Sequence, residues 1–395
     1  MKLLVATDAH IFETPDGKHW CNKIYFYSFW ERYLNVFDSV RIVARVKKTD
    51  KCESNYRLVD GEGVEVYPVP FFQGPGQLAK KYFSVQRALK KVADGCDAAL
   101  FRMPSQTAQM AYKYVKGKVP IAGEIVYDPF DDVKNGKGIS KVISCIISHQ
   151  LSNFCKTANG VSYVTESTIQ SHYPSYASRH GETDRYFETY YSTITLNNNA
   201  FTSVRRFENI NKLTLVLSDV SMNSERKGER TLIRAIKKAR SNGCDINAYI
   251  IGDGSKRNEF EAFAEEIGVS EFVTFTGLFS SPDKVREYLE KSDIFVFPTQ
   301  AEGLPRGILE AMAVGLPVLS SPVGGIPEVI DRKYLFAPDD YNAFADKLIQ
   351  LYSAPGELEK MSMDNFNKSL EYKNDILQKR RDDFYLKLCN LAKRG

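Results

Sequence analysis

The sequence predicts an α/β protein of two domains, each a parallel sheet covered by helices on both faces, with a cleft between them. Three observations carry this. Short apolar strands alternate with helical segments through the first half of the chain. A polar stretch without period, Tyr173 to Asn199, interrupts the pattern. The alternation then restarts at Lys212. Repeated βαβ units give parallel sheets buried on both sides. A chain of 395 residues also exceeds one ordinary core.

In the first half, Lys2 to Thr7 reads as a strand, Tyr25 to Asn35 as a helix and Ser39 to Arg45 as a second strand. Val64 to Pro68 is a strand, Gln77 to Asp94 a helix and Ala98 to Arg102 a strand. Ser105 to Val115 is helical, and Ile121 to Val126 and Val161 to Thr165 are strands. Between those two strands runs a long helix, Ser140 to Ala158. Its apolar Val142, Ile143, Ile146, Ile147, Leu151 and Phe154 are spaced for one face. Core packing is the expected use of that face, ahead of a membrane surface, since the helix's polar face has few basic residues. Tyr173 to Asn199 is expected as a loop crossing between the domains.

In the second half, Lys212 to Leu217, Ile246 to Ile251, Val273 to Thr276, Ile294 to Phe297 and Val318 to Ser320 read as strands. Gly228 to Ser241, Lys256 to Ile267 and Ser281 to Lys291 read as helices. The expected domains are 1–205 and 206–370. A charged C-terminal helix within 371–395 is expected to return to the first. Ligands of such sheets bind beyond the carboxyl ends of the strands, which places the expected site in the cleft.

Composition excludes several classes. A net charge of +4 is too mild for a nucleic-acid partner. Lysines do concentrate in the first half (Lys47, Lys48, Lys80, Lys81, Lys90, Lys91, Lys134, Lys137 and Lys141), compatible with an acidic membrane surface or simply with solvation. The seven cysteines have no Cys-x-x-Cys spacing, so no zinc or redox motif is expected, and the odd count suits reduced thiols. The opening Met-Lys-Leu-Leu-Val-Ala-Thr-Asp reads as a strand rather than a signal segment, and no apolar run reaches bilayer length. A cytoplasmic location, with peripheral contact at the inner membrane as an option, is the expectation.

The chemistry concentrates between Thr299 and Ala313. A strand ends at Phe297, Glu302 follows, then Gly303-Leu304-Pro305, then a helix carrying Glu310. Backbone N–H groups opening onto a helix N-terminus suit an anion. Two carboxylates beside them can accept hydrogen bonds from hydroxyls. Phosphate plus hydroxyls points to a nucleotide sugar.

From Lys212 to about Asp340 the chain resembles the retaining GT-B glycosyltransferases of family 4. The matching segments occur in the family's order: Arg226-Lys227-Gly228, Ile250-Ile251-Gly252-Asp253-Gly254, Phe275-Thr276-Gly277, Phe297-Pro298-Thr299, Glu302 to Glu310, Gly315-Leu316-Pro317-Val318 and Gly324-Gly325-Ile326-Pro327-Glu328. The first half matches only in outline. The resemblance implies two Rossmann-like domains. It implies that Glu302 meets the donor sugar and Glu310 the ribose. Gly303, Leu304 and Pro305 would direct amides at the diphosphate, with Gly252 and Gly277 also lining the donor. Lys227 would stabilise the leaving group. It further implies sugar transfer with retention, with no cofactor and no metal. The chain has no Asp-x-Asp. The donor would be a nucleotide sugar, UDP-sugar favoured, and the acceptor a glycan or a lipid-linked glycan of a surface polysaccharide.

Two departures stand out. Where the family has Gly-Arg, this chain has Ser218-Asp219, and Arg226 or Arg306 is left to supply the missing cation. Where the family places Gly-Gly after the first strand, the stretch Asp8 to His19 has a single Gly17. His10, Arg102 and Asp128, with Asp131 and Asp132, are candidates for the acceptor side, against ordinary loop capping or ion pairing. A sugar-nucleotide epimerase or a phosphorylase on the same fold, and a catalytically silent subunit, are the competing expectations.

Overall fold

The computed structural model describes residues 1–394 apart from Lys23, Ser54, Gly136, Lys137 and Ser280, and apart from the side chains of Asp131 and Asn135. Lys137 and the Asp131 carboxylate therefore lie outside the described residues. The chain divides into two units, Met1–Tyr191 with Gln378–Gly395, and Ser192–Leu377. The first boundary falls at Tyr191 rather than at 205. The C-terminal segment belongs to the first unit from Gln378 rather than from 371.

The strands of the first unit are β1 (Lys2–Glu13), β2 (His19–Cys21), β3 (Ser39–Lys48), β4 (Arg57–Leu58), β5 (Val64–Pro70), β6 (Ala98–Met103), β7 (Ile121–Ile125), β8 (Gly160–Tyr163) and β9 (Phe187–Tyr190). β5, β3, β1, β6, β7, β8 and β9 lie side by side in that order, all parallel. Leu3 to Ala6 and all of β6 are buried, as a central parallel strand requires. β1 runs past the expected end at Thr7. After a register shift between Ala6 and His10 it pairs again along Arg45 to Lys48, and it then meets β2 antiparallel. Asp8 and His10 interrupt the apolar run, but backbone pairing does not need apolar side chains. β9 was expected as loop. Its four residues pair with β8 through backbone alone, and only Phe187 is buried.

One buried carboxylate knits this unit. Glu124, on β7, accepts hydrogen bonds from Tyr385 (2.6 Å), Tyr191 (3.0 Å) and Tyr33 (3.2 Å), and it is paired with Arg102 of β6. Burial alone would raise this carboxyl, but Arg102, then the Tyr385 hydroxyl, hold it below its ordinary value. Tyr385 lies in the last helix, Asn374–Arg394, whose Phe384 ring also packs 5.3 Å from Phe187. The C-terminal helix thus completes the first unit's core.

The long helix Gly138–Cys155 departs from expectation. Only Leu151, Phe154 and Cys155 are buried, while Ile139, Val142, Ile143 and Ile146 are exposed. Apolar spacing states that a helix has one apolar face. It does not state that the sheet reaches along the whole helix.

The second unit holds β10 (Leu213–Ser218), β11 (Ile246–Ile251), β12 (Val273–Gly277), β13 (Ile294–Phe297) and β14 (Val318–Ser320). They form a parallel sheet in the order β12-β11-β10-β13-β14. Strand order reverses direction at β10, between β11 and β13. The loops after β10 and β13 therefore open at the switch point where such sheets bind ligands.

Candidate active site

The loop after β13 is held by its neighbours. The Phe297 carbonyl accepts the Ser320 hydroxyl at 2.6 Å and the Thr299 N–H at 2.9 Å. The Ser321 hydroxyl donates to the Thr299 carbonyl. Gln300 N–H reaches across to the Arg226 carbonyl at 2.8 Å. The Thr299 hydroxyl lies 3.2 Å from that carbonyl and 3.2 Å from Glu302 Oε1, and donates to one or the other. These bonds bring Arg226-Lys227-Gly228 against the end of β13. Gly228 is obligatory there. Its φ is +86°, and a Cβ would sit 2.3 Å from the Pro298 carbonyl oxygen.

The geometry joins the two residues named from sequence as catalytic. The Lys227 ammonium donates to Glu302 Oε1 and sits 5.2 Å from the Phe297 ring centroid. Glu302 and Lys227 are both partly buried. The pair is 75 residues apart in sequence. Gly325 N–H then braces the Glu302 loop from behind, donating to the Gly303 carbonyl at 2.6 Å.

Leu304 and Pro305 are buried, and Pro305 precedes the helix Arg306–Ala313 without any side-chain cap. The expectation for Pro305 needs correction, because proline has no N–H to direct at an anion. Its fixed φ instead starts the helix, so the uncapped amides of the first helical turn are the donors. Arg306 is exposed at the first helical position, one turn from Glu310. Burial pushes the Glu310 carboxyl up, with Arg306 and then Arg286 pulling it down.

The loops after β10, β11 and β12 stack on one another. Gly252 N–H donates to the Gly277 carbonyl at 3.0 Å, and Asp219 N–H to the Ile251 carbonyl at 2.8 Å. A Cβ on Gly252 would lie 1.7 Å from the Asp219 carbonyl oxygen, at a φ of +138°. Gly252 and Gly277 therefore permit close packing of loops.

Asp219 takes the place of the expected arginine without lying open to solvent. It is buried, with Oδ1 accepting the Ser221 N–H at 3.0 Å. Glu229, first in the helix Glu229–Ser241, is fully buried. Neither Glu229 oxygen nor Asp219 Oδ2 has a donor. Burial, then Asp219 beside it, push the Glu229 carboxyl up to about 8. Glu229 thus holds its proton at neutral pH and adds no charge of its own beside Lys227.

The acceptor-side candidates of the first unit do not behave alike. Arg102 is a correction: it is buried against Glu124 and lies 5.0 Å over the Phe29 ring, so it serves the core. His10 is half-buried in β1 with its ring edge-on to Phe71 at 5.1 Å. Asp128 is fully buried; it accepts the Phe130 N–H at 2.8 Å and faces His172 Nδ1 at 2.8 Å. His172 stacks on Phe130 at 3.9 Å and is partly exposed, so Asp128 orients an imidazole that the sequence did not suggest. Asp132 accepts the Tyr127 hydroxyl at 2.5 Å. Among the described residues no group of three or more His, Cys, Asp or Glu side chains is arranged to hold a metal ion.

Residues 214–354 match the family model described as glycosyl transferases group 1. Protein CapJ of Staphylococcus aureus is 27% identical over 342 residues, covering 86% of this chain and 83% of CapJ. The amylovoran biosynthesis glycosyltransferase AmsK of Erwinia amylovora is 32% identical over 146 residues, 35% of this chain and 36% of AmsK. HepE of Anabaena, solved in complex with UDP and glucose, superposes with a TM-score of 0.63 at 16% identity, covering 96% of this chain and 97% of that one. The fold is GT-B, and the match to the family model lies within the second unit.

Proposed function

We propose that this chain is a retaining, family 4 glycosyltransferase that moves a sugar from a nucleoside diphosphate sugar to a glycan or lipid-linked acceptor during surface polysaccharide synthesis. The observation that carries the reading is the Lys227–Glu302 pair beside the uncapped helix at Arg306. It sets a cation, a hydroxyl acceptor and free amides around one point. UDP is the favoured nucleotide, supported by the ligand named for HepE. A polysaccharide product is supported by the name of AmsK.

In this reading the diphosphate lies on the first-turn amides of the helix Arg306–Ala313. It draws the Lys227 ammonium from Glu302, which frees that carboxylate for the sugar hydroxyls. Glu310 accepts from the ribose. The anomeric carbon–oxygen bond breaks with its electron pair passing to the diphosphate, and Lys227 stabilises the charge that develops. The acceptor hydroxyl bonds to the same face of the carbon, and its proton passes to the departing diphosphate. The protonated Glu229 lowers the repulsion that two charged carboxylates would add near Lys227. The chemistry needs no metal, and the acceptor is served by the first unit, with His172 and His10 as its candidate contacts.

Calorimetry with UDP and GDP, followed by mass spectrometry of a nucleotide-sugar panel, tests this. Binding of one nucleotide and appearance of a glycosylated acceptor are expected. Absence of binding to every nucleotide would sink the enzyme reading. Epimerised donor formed without an acceptor would favour the epimerase.

A further inference from the structure

Two stretches of the first unit carry cations and no acid. Residues 66–93 and 133–165 contain nine lysines and arginines and no aspartate or glutamate, in a chain whose net charge is only +4. The remainder is therefore net acidic.

Both stretches lie on one face of the first unit's sheet. The helix Gln106–Val115 touches each of them. Its Tyr114 hydroxyl donates to Gln86 of the helix Gly74–Leu89 at 2.5 Å. Its Tyr112 ring packs 5.1 Å from Phe154 of the helix Gly138–Cys155. Both outer helices follow a parallel strand, β5 or β7, so both begin at the carboxyl end of the sheet.

Both helices expose large apolar side chains. Phe83 is 83% exposed beside Tyr82. Ile139 is 80%, Val142 58% and Ile146 52% exposed. The last three recur at helical spacing, so they form one stripe. Lys80, Lys81, Lys134 and Lys141 are exposed around them. An exposed apolar stripe on a helix that carries no acid of its own, with Lys134 and Lys141 exposed at its start, matches an interface of acyl chains beneath anionic headgroups. Among the described residues no helix is long and apolar enough to cross a membrane, so such contact would be peripheral.

We propose that this face docks on an anionic lipid bilayer, with Ile139, Val142, Ile146 and Phe83 entering the acyl boundary and Lys134 and Lys141 meeting headgroups. The inference deepens the proposed function, because it favours the lipid-linked acceptor over a free glycan. Vesicle binding and nucleotide binding are nevertheless separate readouts, so either reading can fail alone.

Flotation of the full chain with vesicles provides the test. Binding is expected to phosphatidylcholine containing phosphatidylglycerol, to weaken with salt, and to be much poorer with phosphatidylcholine alone. The double variant Ile139→Glu, Ile146→Glu should lose about tenfold or more in vesicle affinity with UDP binding unchanged. The exposed pair Lys134→Glu, Lys141→Glu should lose binding to anionic vesicles without any demand on the core, which keeps the test decisive if the first variant folds poorly. No flotation with either vesicle, or equal flotation of the lysine variant, overturns the proposal. So does a dimer, seen by sedimentation, that the isoleucine variant converts to monomer, because a second chain would then be the occupant.

Discussion

The two units bury carboxylates in opposite ways. In the first, Glu124 is met by a guanidinium and three tyrosine hydroxyls. In the second, Asp219 and Glu229 share a pocket that leaves three carboxyl oxygens without a donor. A buried charge supplied with donors is a fixture of the architecture. A buried acid without them must keep its proton, so its state depends on pH. The first cluster binds the C-terminal helix to the first unit. The second lies beside Lys227, where charge matters to a phosphate ligand.

The largest effect should come from breaking the satisfied cluster. Glu124→Ala strands the Arg102 guanidinium in the core and should cost about 3–5 kcal/mol of unfolding free energy. Denaturant melts would show it, and earlier proteolysis near Tyr385 should accompany it. A loss below about 1 kcal/mol would mean that the cluster is ornament rather than architecture.

Next comes the loop chemistry of the second unit. Glu302→Gln keeps the shape but weakens the ion pair with Lys227, and it should lower turnover by about a hundredfold while altering UDP affinity little. Equal turnover in steady-state assays would move the sugar contact elsewhere. Glu310→Ala should instead weaken UDP by about tenfold in calorimetry, near 1.4 kcal/mol, with a smaller change in turnover.

The smallest effect sharpens the contrast itself. The folded Glu229 carboxyl, at about 8, lies above its ordinary 4.5. Its contribution to stability is therefore complete below about pH 4.5 and is lost as pH rises toward about 8. Glu229→Gln supplies an amide donor to Asp219 and does not titrate. It should be more stable than the parent at pH 8 by about 1–2 kcal/mol and show a flatter profile. Parallel profiles for the two proteins would place the proton elsewhere. The same comparison on Glu124, whose carboxyl is held low, should show no loss in that range.

The second unit was the more legible. Its loops are built from glycines at Gly228 and Gly252 that no other residue can replace, so backbone necessity is written into the sequence in order. Glu302 and Lys227 could be named beforehand, though not that they touch. The first unit builds its candidate contacts from ordinary residues. His172 gains meaning only through Asp128 and Phe130, which lie more than forty residues away in sequence. Arg102 looked available because a lone arginine at a strand end gives no sign of a buried partner. From sequence the face of the helix Gly138–Cys155 reads as core, because periodicity reports amphipathicity and not which surface covers it.

The sequence by itself determined the α/β alternation, the restart at Lys212 and the loop chemistry from Arg226 to Glu310, since strand burial and glycine turns are local requirements. Tertiary structure alone decided the division at Tyr191, the return of the last helix onto Glu124, the Lys227–Glu302 pair and the burial of Glu229 beside Asp219. The physical reason is common to all four. Pairing and desolvation depend on which distant side chains meet, and local spacing carries no record of that.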